Sequence, residues 1–523
     1  MTPLSLSDTD PAELAVDAIV VGLHSTNGSS GGAPLLAPGA ESVAVAFEGR
    51  LAETLALLGA TGAVGEVTKL ASLGTVSAPV IAAVGLGPVP ADGVIAPETL
   101  RRATASAVRS LAGAAKVAVA LPAPDPHDLG AEAEQDEDTS SSTALRAITE
   151  GALLGTYRFA GYRTKPQPGR RDPVKALSVH VADASDRAAK AEAKRAGIVA
   201  GAVARTRDWV NTAPNDLRPP AFADEVVQAA TEAGLEVDVL DEKALRKAGY
   251  GGILAVGMGS DAPPRLVTIS YAPAGATRSV ALIGKGITFD TGGYAVKPPQ
   301  GMWEMKSDMS GAAAVASVMV ALAALKPKVR VTAYIPMAEN MISGSSYRPG
   351  DVVTMYGGKR VEVLNTDAEG RMILADAVVR AQEDDPDYLF ETSTLTGGQV
   401  IALGKRVAGV MGVADLCERV RAAGERVGEP AWPMPIPDEV RKGMDSDVAD
   451  ISQVNAGMDR AGHMLQGGAF IREFMDEERS WAHIDIAGPA YHSGEPTGYW
   501  TKGGTGVPVR LLLELIDDIA ANG

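Results

Sequence analysis

The chain has 523 residues, 46% hydrophobic and 22% charged, which excludes collagen-like, wholly disordered and coiled-coil architectures and leaves room for two or more domains. Lysine and arginine total 48 against 65 aspartates and glutamates, a formal charge of −17 that repels polyphosphate and disfavours nucleic acid as a partner. The single cysteine, Cys417, rules out an intramolecular disulfide and a cysteine-based zinc cluster. With neither a secretory pattern at the N-terminus nor an unbroken run of 18 apolar residues, the sequence predicts a cytoplasmic protein that does not enter a membrane.

The first third alternates strand-like runs at 17–23 and 42–47, a helical pattern at 51–58, a strand at 80–84, a helix over 98–113 and a strand at 116–121. That is the rhythm of a parallel α/β layer. Between 131 and 142, Glu132, Glu134, Asp136, Glu137 and Asp138 precede three serines, and so many like charges with so little apolar surface predict a mobile surface loop. A helix over 143–159 follows. The cations Arg163, Lys165, Arg170, Arg171 and Lys175, interleaved with prolines, then read as a solvated connector leading to a strand at 177–181. Ser185 is placed to cap a long proline-free helix reaching Val210, which Pro214, Pro219 and Pro220 terminate.

A denser series comes next. Strands are predicted at 236–239, 265–270, 279–283, 329–335, 388–392, 408–413 and 481–486, with helices at 221–233, 311–325 and 371–382. The expected fold class is α/β: a smaller N-terminal α/β domain of macro-like character (1–184), a linking helix and connector (185–220), and a larger C-terminal α/β domain with a mixed central sheet (221–523). In such sheets ligands sit beyond the carboxyl ends of the strands.

No H-E-x-x-H motif or Walker loop occurs, and the six histidines show no ligand spacing, which excludes a zincin site and a Walker-type phosphate loop, leaving Gly85-Leu86-Gly87 as the one glycine pair of that kind in the N-terminal part. Gly28-Ser29-Ser30-Gly31-Gly32 matches G-x-S-x-G but is not followed by the helix that a nucleophile elbow requires. His483, alternating with apolar residues, reads as a satisfied core histidine, and Cys417 has no histidine near it in sequence to make a catalytic thiol.

Two stretches carry chemistry. One is Gly284-Lys285-Gly286-Ile287-Thr288-Phe289-Asp290-Thr291-Gly292-Gly293, continuing through Lys297 to Met305-Lys306-Ser307-Asp308-Met309. The other is Asn365-Thr366-Asp367-Ala368-Glu369-Gly370-Arg371. Singly, Thr366-x-x-Glu369 is a capping-box pattern, Asp308 a possible helix cap and Lys285 a loop cation. Together, Asp290, Asp308, Asp367 and Glu369 with Lys285, Lys297 and Arg371 fall at strand-to-helix loops of one domain. Carboxylates gathered without histidine or cysteine suit hard divalent cations, which also relieve their mutual repulsion.

These stretches, with Thr394-Leu395-Thr396-Gly397, resemble the leucyl aminopeptidase (cytosol aminopeptidase, M17) family, and the resemblance extends over the C-terminal part of the chain. It implies a two-metal exopeptidase. One ion, manganese or zinc, would be held by Lys285, Asp290, Asp308 and Glu369, and a second by Asp290, Asp367, Glu369 and the Asp367 carbonyl. Lys297 would donate to the oxyanion, and Arg371 would hold a bicarbonate that takes the proton of the attacking water. Substrate would meet Met305, Asn365, Thr394, Leu395, Gly397, Ala487 and Ala490, with Ala490 widening the pocket for leucine and other large side chains. Where many members carry Asp-Val-Ala before Thr-Leu-Thr-Gly, this chain has Glu391-Thr392-Ser393. The family further implies short peptides as substrates and a hexamer built from two trimers. Rival readings are a non-catalytic binding module on the same scaffold, either a nucleic-acid regulator or a nucleotide-type ligand site in the N-terminal α/β domain, and a two-metal phosphoesterase.

Overall fold

The computed structural model describes residues 2–26, 33–123, 141–165, 167–457 and 461–523. The Gly28–Gly32 tract and residues 131–140 of the acidic run lie outside them. The chain divides into two compact units, one of residues 1–201 with 494–501, the other of 202–493 with 502–523.

In the first unit the elements are β1 (Leu4–Ser7), β2 (Ala18–Ser25), β3 (Leu35–Leu36), α1 (Glu41–Ala46), α2 (Leu51–Leu57), β4 (Val67–Ala71), β5 (Val80–Pro88), α3 (Pro97–Ser110), β6 (Lys116–Ala120), α4 (Ser141–Gly155) and β7 (Ala176–His180). The sheet runs β1-β7-β6-β2-β5-β4, with β3 on β2. Among the described strands of this sheet, β3 and β4 alone join antiparallel, on β2 and β5. The central strand β2 is buried along nearly its whole length, as a parallel strand covered on both faces must be. The strand expected at 42–47 is instead the helix α1. Its valine–alanine alternation gives a period of two, yet Val45, which a strand would place on the same face as buried Val43, is exposed, so the run has no continuous apolar strand face, and alanine favours the helix.

Helix α5 (Arg187–Asn211) passes from the first unit into the second. Its cap is Asp186, whose carboxylate accepts from the Ala189 N–H at 2.8 Å, one residue beyond the expected Ser185.

The second unit contains α6 (Pro219–Glu232), β8 (Glu236–Leu240), α7 (Glu242–Ala248), α8 (Gly251–Gly257), β9 (Arg265–Tyr271), β10 (Ser279–Gly284), β11 (Gly286–Asp290), α9 (Ser310–Leu325), β12 (Arg330–Asn340), β13 (Val352–Thr354), β14 (Arg360–Glu362), α10 (Glu369–Gln382), β15 (Tyr388–Ser393), α11 (Gly397–Leu403), β16 (Ala408–Gly412), α12 (Ala414–Val427), β17 (Ala431–Pro433), α13 (Asp438–Lys442), β18 (Ile451–Ser452), α14 (His463–Arg472) and β19 (Trp481–Asp485). Its large sheet runs β17-β16-β19-β15-β10-β12-β9-β8, with β11 on β12. The core β19-β15-β10-β12 is parallel, and β16 and β9 join it antiparallel, so the sheet is mixed as expected. The stretch Met302–Leu325 is long and apolar enough to cross a membrane by length and composition alone. Most of α9 within it is instead buried in the core of this unit.

Asp376 on α10 is fully buried and accepts from the Ile253 N–H at 2.9 Å and the Tyr356 N–H at 2.8 Å. Alanine there would leave two donors unpaired, at about 1–3 kcal/mol each. We expect Asp376→Ala to lower the denaturant midpoint by an amount worth about 3 kcal/mol or more, with Asp376→Asn recovering only part of it. An unchanged midpoint would show that water replaces the carboxylate without cost.

Candidate metal centre and substrate cavity

The chemistry collects at the carboxyl ends of β10, β11 and β15. Lys285 follows β10, Asp290 ends β11, Asp308 precedes α9, Glu369 opens α10 and Thr394 follows β15. The Lys285 N–H donates to the Thr392 carbonyl at 3.1 Å and its carbonyl accepts from the Ala312 N–H at 2.9 Å, so neighbouring elements fix its backbone. Gly370 makes room for its side chain: a Cβ there would stand 2.6 Å from Lys285 Cε. Gly292, at φ 85°, lets the loop turn back where a Cβ would lie 2.4 Å from the Ala295 carbonyl.

Asp290, Asp367 and Glu369 each bring a carboxylate oxygen within 4.8 Å of the others. Lys285 Nζ lies 2.8 Å from Asp308 Oδ1 and 2.8 Å from Glu369 Oε1. Lys297 Nζ lies 2.7 Å from Asp290 Oδ2 and 2.5 Å from Asp367 Oδ1. Every one of these groups except Asp367 and Lys297 is nearly inaccessible.

Burial governs the electrostatics. It pushes Asp290 up to about 6, with Glu369 and Asp367 adding to the rise, and it raises Asp308 well above the carboxylate range against the pull of Lys285. Asp367 is raised by burial too, against Lys297. Burial acts on Glu369 in the same sense, but Lys285 and Lys297 outweigh it and hold the group below its ordinary value. For both lysines burial opposes the ammonium, yet the surrounding carboxylates prevail and raise the pKa. The cluster therefore needs positive charge, and two ammonium groups provide it. Asp308 Oδ2 and Glu369 Oε2 are buried and accept no hydrogen bond. Open carboxylate oxygens among hard donors fit divalent cations.

A cavity of about 710 Å³ opens on this cluster. Lys285, Asp290, Lys297, Met305, Asp308, Asp367, Glu369, Thr394, Leu395, Gly397 and Ala487 all line it. Three of the expected residues do not. Arg371 is buried behind Glu369, with Nη1 donating to the Gln453 carbonyl at 2.6 Å, and burial lowers its pKa to about 10. Asn365 turns its Oδ1 to the Asp367 N–H at 3.0 Å, which sets the backbone of that loop. Ala490 is buried, its N–H held by the Ile486 carbonyl and its carbonyl by Thr505.

The site uses residues that the sequence reading missed. Asn340, ending β12, donates from Nδ2 to Asp290 Oδ1 at 2.7 Å and to the Thr366 carbonyl at 2.9 Å. The strand was expected to stop at 335, so Asn340 went unnoticed. Thr366 is not a cap: its hydroxyl donates to the Gly292 carbonyl at 2.7 Å and accepts from the Ala295 N–H at 2.8 Å, joining the two motif loops. Nor does Asp308 cap α9, since its Oδ1 accepts from Lys285 and Thr394. Asp485 accepts from the Leu395 and Ala487 N–H groups and from the Thr396 hydroxyl, so it ties together two walls of the cavity. On the same face of β19, fully buried His483 pairs through Nδ1 with Glu391 of β15. His483 is thus a core histidine, held by a carboxylate, while its Nε2 has no hydrogen-bond partner. Burial alone would lower its pKa, but Glu391 and Asp485 raise it. Cys417 is buried on α12, and burial pushes its thiol up to about 11, away from reactivity.

Two family models match the chain: the cytosol aminopeptidase family N-terminal domain over residues 20–166 and its catalytic domain over residues 204–513. A probable cytosol aminopeptidase of Streptomyces griseus is 47% identical over 534 aligned positions, covering 100% of this chain and 99% of that protein. One from Rhodococcus jostii is 47% identical, covering 97% and 96%. Among solved structures, the bottromycin maturation enzyme BotP in complex with Mn is 32% identical with a TM-score of 0.81, covering 97% of this chain and 100% of that one. A mutant tomato leucine aminopeptidase is 29% identical with a TM-score of 0.82, covering 99% and 96%.

Proposed function

Because the chain belongs to the cytosol aminopeptidase family of metal-dependent exopeptidases, we propose that it removes leucine and other large apolar residues from the N-termini of short peptides through a water that bridges two metal ions. The observation that carries this reading is the buried cluster of Asp290, Asp308, Asp367 and Glu369 around two lysines at the floor of the cavity.

Lys285, Asp290, Asp308 and Glu369 are proposed to hold one ion and Asp290, Glu369 and Asp367, by side chain and carbonyl, the other; manganese and zinc both suit the sites. When bound, the ions supply Lewis-acid polarisation of the scissile carbonyl and lower the pKa of the water between them towards neutrality. Lys285 must give up its proton to serve as a ligand. Its present pKa is raised by the same carboxylates that a cation would neutralise. Lys297, relieved of Asp290 and Asp367 in the same way, would donate to the oxyanion that forms on the substrate carbonyl. Arg371, whose planar fork suits a two-oxygen anion, would present its remaining N–H groups to a bicarbonate that accepts the water's proton.

Specificity follows from the walls. Met305, Leu395, Met434 and Met464 give the cavity apolar, adaptable surface, while Gly397 and Ala487 leave width. A free amine is needed beside the carboxylates, which limits the enzyme to chain ends. We further propose a cytoplasmic location, as the relatives' names indicate, and a hexamer of two trimers. The family does not favour the regulatory, nucleic-acid-binding alternative.

The test compares leucyl-, alanyl- and N-acetyl-leucyl-p-nitroanilide. We expect kcat/KM for the leucyl substrate to exceed the alanyl value by about 10–200-fold, the range that added methylenes earn in an apolar pocket, and no release from the blocked amine. Equal values for leucyl and alanyl substrates would remove the preference, and cleavage of the acetylated substrate would remove exopeptidase action.

A further inference from the structure

The first unit has a second cleft, of about 350 Å³, and none of the residues lining it lines the catalytic cavity. One wall is a single face of α3, where Arg102, Ser106, Arg109 and Ser110 recur at helical spacing. Val64 and Val67 beside β4, with Pro496, make an apolar rim. Gly498 closes it: its carbonyl accepts from Arg109 Nη1, and a Cβ there would stand 3.1 Å from Arg102 Cγ. Two more cations stand next to this face. Lys69 of β4 donates from Nζ to the Ser110 carbonyl, and its pKa is lowered by burial and by the nearby charge of Arg171. Arg171, from the basic run read as a solvated connector, lies over Gly113.

Among the described residues, no carboxylate pairs with Lys69, Arg102, Arg109 or Arg171. The acid nearest along the helix, Glu98, is engaged by Arg101 and by the Tyr499 hydroxyl. On a chain whose net charge is −17, the part-buried Arg102 and Arg109 and the exposed Lys69 and Arg171 beside them have no carboxylate partner among the described residues, and a bound anion offsets their mutual repulsion. Guanidinium forks match the paired oxygens of phosphate and carboxylate, the free Ser106 side takes a hydroxyl contact, and the volume is within the range of small-molecule sites.

We infer that this cleft binds a small organic oxyanion, its phosphate or carboxylate held by Arg102 and Arg109 and its apolar part laid against Val64, Val67 and Pro496. The site is independent of peptide hydrolysis, so it stands or falls apart from the proposed function.

The experiment is isothermal titration calorimetry on the metal-loaded full chain at constant ionic strength, with inorganic phosphate and with acetate as separate probes, comparing the wild type with Arg102→Ala and Arg109→Ala. The metal centre contributes equally in all three proteins, so the difference between them reports the cleft. We expect Arg102→Ala to weaken one class of sites at least tenfold while the thermal midpoint without ligand stays unchanged. Loss confined to phosphate identifies a phosphate ligand, and loss that includes acetate identifies a carboxylate. Should Arg102→Ala lower the midpoint by itself, Arg102→Lys, which keeps the charge and loses the fork, is expected to weaken binding while remaining folded. Isotherms for both probes that are identical in the wild type and in the folded variants would overturn the inference.

Discussion

Asp367→Ala is expected to lose about 1000-fold or more of its turnover on leucyl-p-nitroanilide, since several kcal/mol of carbonyl and water activation depend on the ions it helps to hold. Asp367 is the most accessible of the clustered carboxylates and takes no part in the sheet. The substitution should therefore leave the fold intact, as circular dichroism would show. Metal analysis gives a second readout: two ions per chain in the wild type should fall towards one, because Asp367 serves only one of the two proposed positions. Chelation should reproduce the loss in the wild type, and manganese or zinc should restore the wild type but not the variant. Full activity in metal-stripped protein, or in Asp367→Ala, would sink the two-metal mechanism whatever the family.

Lys297→Ala is expected to lower kcat by about 100- to 1000-fold with little change in KM, the usual effect of removing one oxyanion donor. The structure makes a sharper distinction available. Lys297 pairs with Asp290 and Asp367, so its removal takes one positive charge from a site that cations would fill. Metal content should stay at the wild-type level or rise as kcat falls, whereas a ligand variant loses both. The metal-free variant should be less stable than metal-free wild type, because Asp290 is buried and would keep only Lys285 as a nearby cation. Lys297→Arg should rescue that stability better than it rescues turnover, since a fork does not place a single donor as the ammonium does. If kcat is unchanged in Lys297→Ala, Lys297 is a counter-ion and the oxyanion is served elsewhere.

Much of this protein's architecture is encoded locally. Strand positions in the second unit follow from short apolar runs, and the strands observed at Ser279–Gly284 and Tyr388–Ser393 extend the expected ones by a residue. The metal motif is also local: glycines, carboxylates and lysines at strand ends declare their chemistry by type and spacing. The failure at 42–47 was local too, because a six-residue run of valine and alanine satisfies both periodicities and only packing decides between them.

What remained hidden depends on partners distant in sequence. Asn340 reaches Asp290 across 50 residues, and Thr366 reaches Gly292 across 74. Glu391 meets His483 across 92 residues because β15 and β19 lie side by side in that register. The capping alternatives at Thr366 and Asp308, each open when the residue is read singly, fail for the same reason, each side chain having a partner in another loop. The cations in and beside the second cleft are scattered between Lys69 and Arg171, and Pro496, Thr497 and Gly498 complete its lining from the far end of the chain. By itself the sequence determined the α/β class, many of the central strands, a carboxylate–lysine cluster suited to divalent cations and the family, since these rest on residue type and short spacing. The tertiary structure alone decided which charges share a dry space, which oxygens stay open to a cation and which cations gather on one face of α3, because those depend on strand register and loop closure over distances that no local pattern encodes.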